Sequence, residues 1–233
     1  KGMCSYTSFS YAHKSRLSNR FLPNSMSVLD NYNGKVFCGI FSKDGKSFIT
    51  ASQVHLCSVN ESSHQEPLCL TNTSRRFCVF SVVFSSSGKE FLGGANDGCL
   101  YIYDLQRRGR TLKVIDMFDF IPAHEYDVNS VAFADDSSHI IYSGGDDGLI
   151  KVWDRRTLDE STAKPVGILA GHMDGITFID SRGDGRHLIS NSKDQSIKLW
   201  DVRVFSGDQA AEKSLKAVHE QTWDYRWQQV PKR

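Results

Sequence analysis

The sequence predicts an all-β chain made of one repeated antiparallel unit, and two observations carry that prediction. The first is a recurring end. CLYIYD, LIKVWD and SIKLWD are apolar, β-branched runs that close on Tyr103-Asp104, Trp153-Asp154 and Trp200-Asp201, 50 and then 47 residues apart. The second is a recurring turn: Asp97, Asp147 and Asp194 each stand six residues before that aromatic, in NDGC, DDGL and KDQS, between two strand-like runs. That is a hairpin signature. At 233 residues, 39% hydrophobic and 24% charged, the composition is that of an ordinary globular chain. Disorder, collagen and coiled coil are excluded.

Taken in order, residues 1 to about 20 are rich in Ser, Tyr, Lys and Arg and read as a flexible arm. The first unit offers Val36–Phe41, a Lys43-Asp44-Gly45 turn and Ser47–Ser52, and then at once Val54–Val59, a third strand with no turn before it. Where the other units carry several Asp/Gly turn residues this one has none. The junction at 52–54 therefore reads as a deletion, with the chain passing from the second strand of one unit to the third strand of another. Val79–Phe84, Glu90–Gly93 and Cys99–Tyr103 form the next unit. Units ending at Trp153 and Trp200 follow, and the repeating region spans 21–203. The segment 204–233 reads as an insert between repeats or a truncated tail, with one helix over Ser206–Gln221 capped by Ser206 or Asp208.

Charge and motifs exclude several function classes. The net charge is +1, which gives no basic field for nucleic acid. The paired arginines, Arg75-Arg76, Arg107-Arg108 and Arg155-Arg156, lack interleaved stacking aromatics and read as solvated loops. No apolar run is long enough to span a membrane and Lys1–Ser15 carries no signal-peptide run, so the chain reads as soluble and intracellular. The six cysteines are sparse and sit among apolar residues, as reduced thiols do. His55, Cys57, His64 and Cys69 lack the paired short loops of a zinc site, so no metal is expected. Asn60 and Asn72 match the glycosylation pattern without a secretory context. Gly45-Lys46-Ser47 has Ile40 where a phosphate loop needs its first glycine, and its setting is strand-turn-strand. No hydrolase elbow, metalloprotease or dinucleotide fingerprint is present, so neither an enzyme nor a cofactor is expected.

Two histidines complete the pattern: Ala123-His124 and Gly171-His172 precede Trp153 and Trp200 by 29 and 28 residues. A Gly-His start, an Asp turn and a Trp-Asp end at this period resemble the WD40 repeat, whose unit is a four-stranded blade of a β-propeller. The resemblance implies an incomplete WD40 β-propeller, with about four blades where a closed ring of the family commonly has seven. It also implies buried polar tetrads, His124, Ser143, Asp147 and Trp153 in one repeat and His172, Ser190, Asp194 and Trp200 in the next. In each, the carboxylate accepts from imidazole, the imidazole bonds the serine hydroxyl, and the hydroxyl accepts the indole N–H. The other use of His, Ser and Asp, nucleophilic catalysis, needs an exposed activated serine and would not recur once per blade.

One pair of arginines departs from the solvated-loop reading. Trp153-Asp154-Arg155-Arg156 and Trp200-Asp201-Val202-Arg203 share the form Trp-Asp-x-Arg one blade apart, which puts Arg156 and Arg203 on the same rim. Trp223-Asp-Tyr-Arg226 also fits but follows too soon to be a blade. The doubled motif is similar to that of substrate receptors of the cullin-four RING ubiquitin ligases. LGGANDGCLYIYD, VNSVAFADDSSHIIYSGGDDGLIKVWDRRT, LAGHMDGITFIDSRGDGRHLISNSKDQSIKLWDVR and WDYRWQQVPK resemble the family of WD-repeat protein twenty-three, cullin-four-associated factor eleven. That resemblance implies docking on the ligase adaptor and cullin-four scaffold through Arg156 and Arg203, each beside its own Asp154 or Asp201. It further implies protein substrates that include basic leucine-zipper stress transcription factors, and residence in nucleus and cytoplasm. A WD40 scaffold of another complex is the alternative.

Overall fold

The computed structural model describes residues 10–21, 28, 35–51, 55–58, 68–69, 78–108, 115–158, 163–222 and 224–228. They fall in two units, Lys1–Asn31 and Tyr32–Arg233. In the first unit the composition suggests a flexible arm, yet α1 forms over Tyr11–Phe21. Its cause is local. Ser10 caps it, the His13 N–H donating to Ser10 Oγ (3.3 Å) and the Lys14 N–H to the Ser10 carbonyl (2.9 Å). No Gly or Pro interrupts YAHKSRLSNRF, and Arg20 stands in the last turn against the negative end of the helix.

Among the described residues, the second unit holds four antiparallel sheets in chain order. The first is β1 (Cys38–Phe41), β2 (Ser47–Ala51), β3 (His55–Ser58) and β4 (Leu68–Cys69). The second is β5 (Val79–Phe84), β6 (Glu90–Ala95), β7 (Cys99–Arg108) and β8 (Ile115–Pro122). The third is β9 (Val128–Phe133), β10 (Ile140–Gly145), β11 (Leu149–Asp154) and β12 (Gly167–Ala170). The fourth has three strands among the described residues, β13 (Ile176–Ser181), β14 (His187–Ser192) and β15 (Ile197–Asp201).

At the junction read as a deletion, the two flanking strands pair. β2 and β3 are neighbours in one sheet, with Thr50 opposite His55, so the chain stays within the first blade. An antiparallel pair needs only a two-residue connection, and an Asp/Gly turn is one way of making it rather than a requirement. Residues 52–54 themselves lie outside the described residues, as do the side chains of His55, Cys57, His64 and Cys69.

The second and third sheets are apolar on both faces, and each is covered on both. Successive first strands meet: β1 lies against β5, β5 against β9, and β9 against β13. Three cores result. Ile49, Val82 and Phe91 close the first junction, Leu92, Ile141 and Trp153 the second, and Tyr142, Ile179 and Leu188 the third. Close approach there excludes larger residues. A Cβ on Gly144 would stand 2.6 Å from Ile176 Cγ2 of the next blade.

The hairpin turns share one geometry, with a left-handed residue directly after the turn aspartate: Gly98 (φ 78°), Gly148 (φ 74°) and Gln195 (φ 64°). After β15 the chain doubles back. The Ser206 N–H donates to the Ile168 carbonyl (2.8 Å), and Ser206 Oγ accepts the Ala170 N–H (2.9 Å), covering the open edge of β12. That use of Ser206 explains why it does not cap the helix that follows. α2 spans Asp208–His219, with Gly207 at the cap and no side-chain cap bond, and Asp208 lies inside the first turn. The helix lies against β11 and β12, where Val218 meets the Gly148 turn.

Candidate functional site

The two tetrads assemble from three elements each. In the third blade, Asp147 sits in the β10–β11 turn, Ser143 on β10, Trp153 on β11, and His124 on the link from β8 to β9. His124 Nδ1 lies 2.8–2.9 Å from both Asp147 oxygens, His124 Nε2 2.8 Å from Ser143 Oγ, and the Trp153 Nε1–H donates to Ser143 Oγ at 2.9 Å. These partners assign the proton. The carboxylate can only accept, so Nδ1 carries the hydrogen and Ser143 donates to Nε2.

The fourth blade repeats the arrangement. His172 Nδ1 lies 2.9 Å from Asp194 Oδ2, Nε2 lies 2.7 Å from Ser190 Oγ, and the Trp200 Nε1–H donates to Ser190 at 2.7 Å. Asp194 also accepts from Ser196 Oγ and from the Met173 N–H. Burial pushes its carboxyl up, but the His172, Ser196 and Met173 hydrogen bonds outweigh that and hold it well below the usual carboxylate range. Asp147 is lowered in the same way by His124 against burial. Ser143 and Ser190 are 0% and 1% exposed. Each hydroxyl already accepts from an indole and donates to an imidazole, so neither offers a nucleophile.

The second blade shows the degenerate form. Gly93 stands at the serine position, Asp97 takes the Tyr101 hydroxyl instead of an imidazole, and Tyr103 replaces tryptophan, stacking on Phe91 at 4.7 Å.

The rim carries the second constellation. Asp154 caps the single 3-10 turn Arg155–Thr157 and accepts the Arg156 backbone N–H (3.0 Å), Nε–H (2.9 Å) and an Nη2 hydrogen (2.7 Å). Asp201 accepts the same three from Arg203, at 3.1, 3.1 and 2.8 Å. The fork is a local consequence of Asp-x-Arg in a tight turn. The guanidinium beside Asp154 holds its carboxyl down at about 2, and that beside Asp201 holds its carboxyl lower still. Both arginines are 63–64% exposed at the side chain. Two guanidinium hydrogens meet the aspartate and three remain without a partner among the described residues. The two forks sit at equivalent turns of neighbouring blades, hence on one rim.

Other rim contacts escape local reading. Arg155, read as a solvated loop charge, instead crosses between blades: Nη1 and Nη2 donate to Glu90 Oε2 (2.9 Å) and Oε1 (3.2 Å), and Nη1 to the Ser138 carbonyl. Glu90 is 65 residues away, so no spacing within a repeat could reveal the pair. Arg186 joins Arg203 on Asp201, Nη2 donating to Oδ2 at 2.8 Å. Asp224 and Arg226 make the same fork at 3.0 and 2.7 Å, outside any blade.

A repeat that ends at the Trp-Asp pair therefore takes in the outer strand of one sheet, passes the histidine, and supplies the three inner strands of the next. The WD domain, G-beta repeat family matches this chain over 67–104, 115–154 and 163–201, each stretch beginning at β4, β8 or just before β12. The chain belongs to the WD40-repeat family. The last matched stretch accordingly supplies β12 to the third sheet and the three described strands of the fourth.

Among relatives of this WD40 chain, LEC14B protein of Lithospermum erythrorhizon is 51% identical over 155 residues, 66% of this chain and 30% of its own length. A DDB1- and CUL4-associated factor 11 homolog of Caenorhabditis elegans is 48% identical over 153 residues, 66% of this chain and 26% of its own. The match thus spans less than a third of these relatives. Diphthine methyltransferase of Mus musculus is 35% identical over only 83 residues, 35% of this chain and 17% of its own length.

Proposed function

We propose that this WD40 chain is a non-catalytic substrate receptor of a cullin-four ubiquitin ligase, docking on the ligase adaptor through Arg156 and Arg203. The observation that carries the reading is the pair of identical Asp-Arg forks, Asp154–Arg156 and Asp201–Arg203, on one rim of adjacent blades. Each aspartate fixes the orientation of its arginine, so less side-chain freedom is lost on docking, and the unpartnered hydrogens suit carboxylates or carbonyls of a partner. A relative at 48% identity named for association with DDB1 and CUL4 supports the same reading. The mechanism is positioning. One surface holds the adaptor, another presents a protein for ubiquitin transfer, and the covalent chemistry belongs to the partners. The family resemblance extends the proposal to basic leucine-zipper stress factors as substrates and to residence in nucleus and cytoplasm.

The test is capture of purified DDB1 by the chain and by Arg156→Ala/Arg203→Ala, with thermal melts of both. The expected result is a loss of affinity of at least about tenfold in the double variant. Its melting temperature should be close to the parent's, because exposed ion pairs contribute little to stability. Equal capture by both would favour a WD40 scaffold of another complex, in which each fork only orders its own turn.

A further inference from the structure

The residue between the aspartate and the arginine of the Trp-Asp-x-Arg turn has a partner of its own, in the preceding blade. In the third blade that residue is Arg155. Its backbone N–H donates to the His139 carbonyl (2.9 Å) and extends the β10–β11 ladder by one bond, while its guanidinium leaves the sheet for Glu90 of the second blade and the Ser138 carbonyl. The side chains of Arg155 and Glu90 are 19% and 26% exposed, against 63% for Arg156. Glu90, Arg155 and Arg156 line one rim cavity of about 400 Å³ between the second and third blades.

The same position is used at the other junctions with different chemistry. Leu105 in the second blade and Val202 in the fourth stand where Arg155 stands, and their N–H groups donate to the Lys89 (2.8 Å) and Arg186 (3.0 Å) carbonyls. Leu105 lies against the core of the first junction and Val202 against that of the third. Glu90 has a counterpart as well. Seven residues before the turn aspartate it corresponds to Ile140 of the third blade, and Ile140 lies against the same core as Val202. An acid and a base at the second junction thus take the places that two aliphatic side chains take at the third. What recurs is anchorage in the junction with the preceding blade.

The fork needs such an anchor. Asp154 caps a 3-10 turn of three residues, and the bonds of Arg156 go back to Asp154. They fix the side chain within its turn, whereas the place of the turn on the rim is set by what joins it to the blades. We propose that Glu90 is a positioning residue for Arg156: through Arg155 it holds the third-blade fork against the second blade, so that Arg156 stands at a fixed distance from Arg203. What Arg156 meets there, DDB1, rests on the receptor reading. That Glu90 holds it does not.

Two variants of the 233-residue chain test it. Glu90→Ile leaves a withdrawn guanidinium without its bidentate partner, which drives Arg155 out to water. Glu90→Ile/Arg155→Val copies the aliphatic pair of the next junction. Amide hydrogen exchange followed by NMR compares the Arg156 N–H with the Ile141 N–H in β10, separating release of the turn from opening of the blade. The expected result is faster exchange at Arg156 in Glu90→Ile, with Ile141 unchanged, and recovery in the double variant. Affinity for purified DDB1 should follow the same order, falling roughly three- to thirtyfold in Glu90→Ile, the range for a residue that acts through another. In the double variant it should return to within about twofold of the parent. Exchange at Arg156 that Glu90→Ile leaves unchanged overturns the proposal. A rise at Ile141 equal to that at Arg156 does so too, since the pair would then hold the blade and not the turn. So does DDB1 binding that Arg156→Ala/Arg203→Ala removes but Glu90→Ile leaves intact, and so does a loss that the aliphatic pair fails to restore, which would put Glu90 or Arg155 itself in the contact. If Arg156→Ala/Arg203→Ala binds DDB1 as the parent does, the receptor reading alone fails, and exchange at Arg156 still decides whether Glu90 positions the fork.

Discussion

Ser143 and Ser190 occupy the same place in two tetrads, but their surroundings grade the cost of losing them. Removing either hydroxyl leaves an indole N–H and an imidazole nitrogen without partners, a penalty of about 1–3 kcal/mol per buried group. Trp153 is 1% exposed, whereas Trp200 is half-buried in a blade covered on one side. Ser143→Ala should therefore destabilise more than Ser190→Ala, and urea midpoints of the two variants should show that order. Asp194 adds a pH signature. Its folded carboxyl is held below its unfolded value of about 3.9. The stability it contributes is fully present above that value and is lost as pH falls toward the depressed native one. Asp194→Asn should lower stability at neutral pH and flatten the decline of urea midpoints below about pH 4. An unchanged acid slope would place that decline on other carboxylates.

Among the hairpins, one departs from its siblings. Gly98 and Gly148 take a positive φ at little steric cost, while Gln195 holds φ 64° with a side chain. Left-handed backbone costs a residue with a Cβ about 1–2 kcal/mol, and the added flexibility of glycine in the unfolded chain offsets about half of it. Gln195→Gly is expected to stabilise the fourth blade by up to about 1 kcal/mol, read as a rise in the urea midpoint. Strands β5, β6 and β7 were legible from their apolar runs and the turn residues between them. The outer strands β4 and β12 were not, because two and four residues carry too little periodicity and their pairing lies across a loop. α1 was missed for a different reason, since a helix held by Ser10 and local propensity has no apolar stripe to betray it.

Across the whole second unit, stability is a chain of neighbour contacts: each blade touches the next and three cores tie four sheets. The third blade has a neighbour on both faces and the fourth has one, with β15 at an edge among the described residues. Hydrogen exchange should therefore be slowest in β10, at Ile141, Tyr142 and Ser143, and faster by orders of magnitude in β15. Uniform protection across the blades would show that the unit opens only as a whole.

What the sequence by itself determined is whatever a single repeat contains: the hairpin turns, the His-Ser-Asp-Trp sets and the Asp-x-Arg forks. Each rests on hydrogen bonds whose donors and acceptors recur at a fixed spacing, so residue type and number suffice to name them. Tertiary structure decided which surfaces meet. Arg155 finds Glu90 across a blade junction, Ser206 serves the edge of β12 instead of capping a helix, and β2 pairs with β3. Ile197 and Ile150 are the same residue at the same position of two blades, one 73% exposed and the other buried. A side chain records what it can bury, and only the arrangement of the blades decides whether anything comes to cover it.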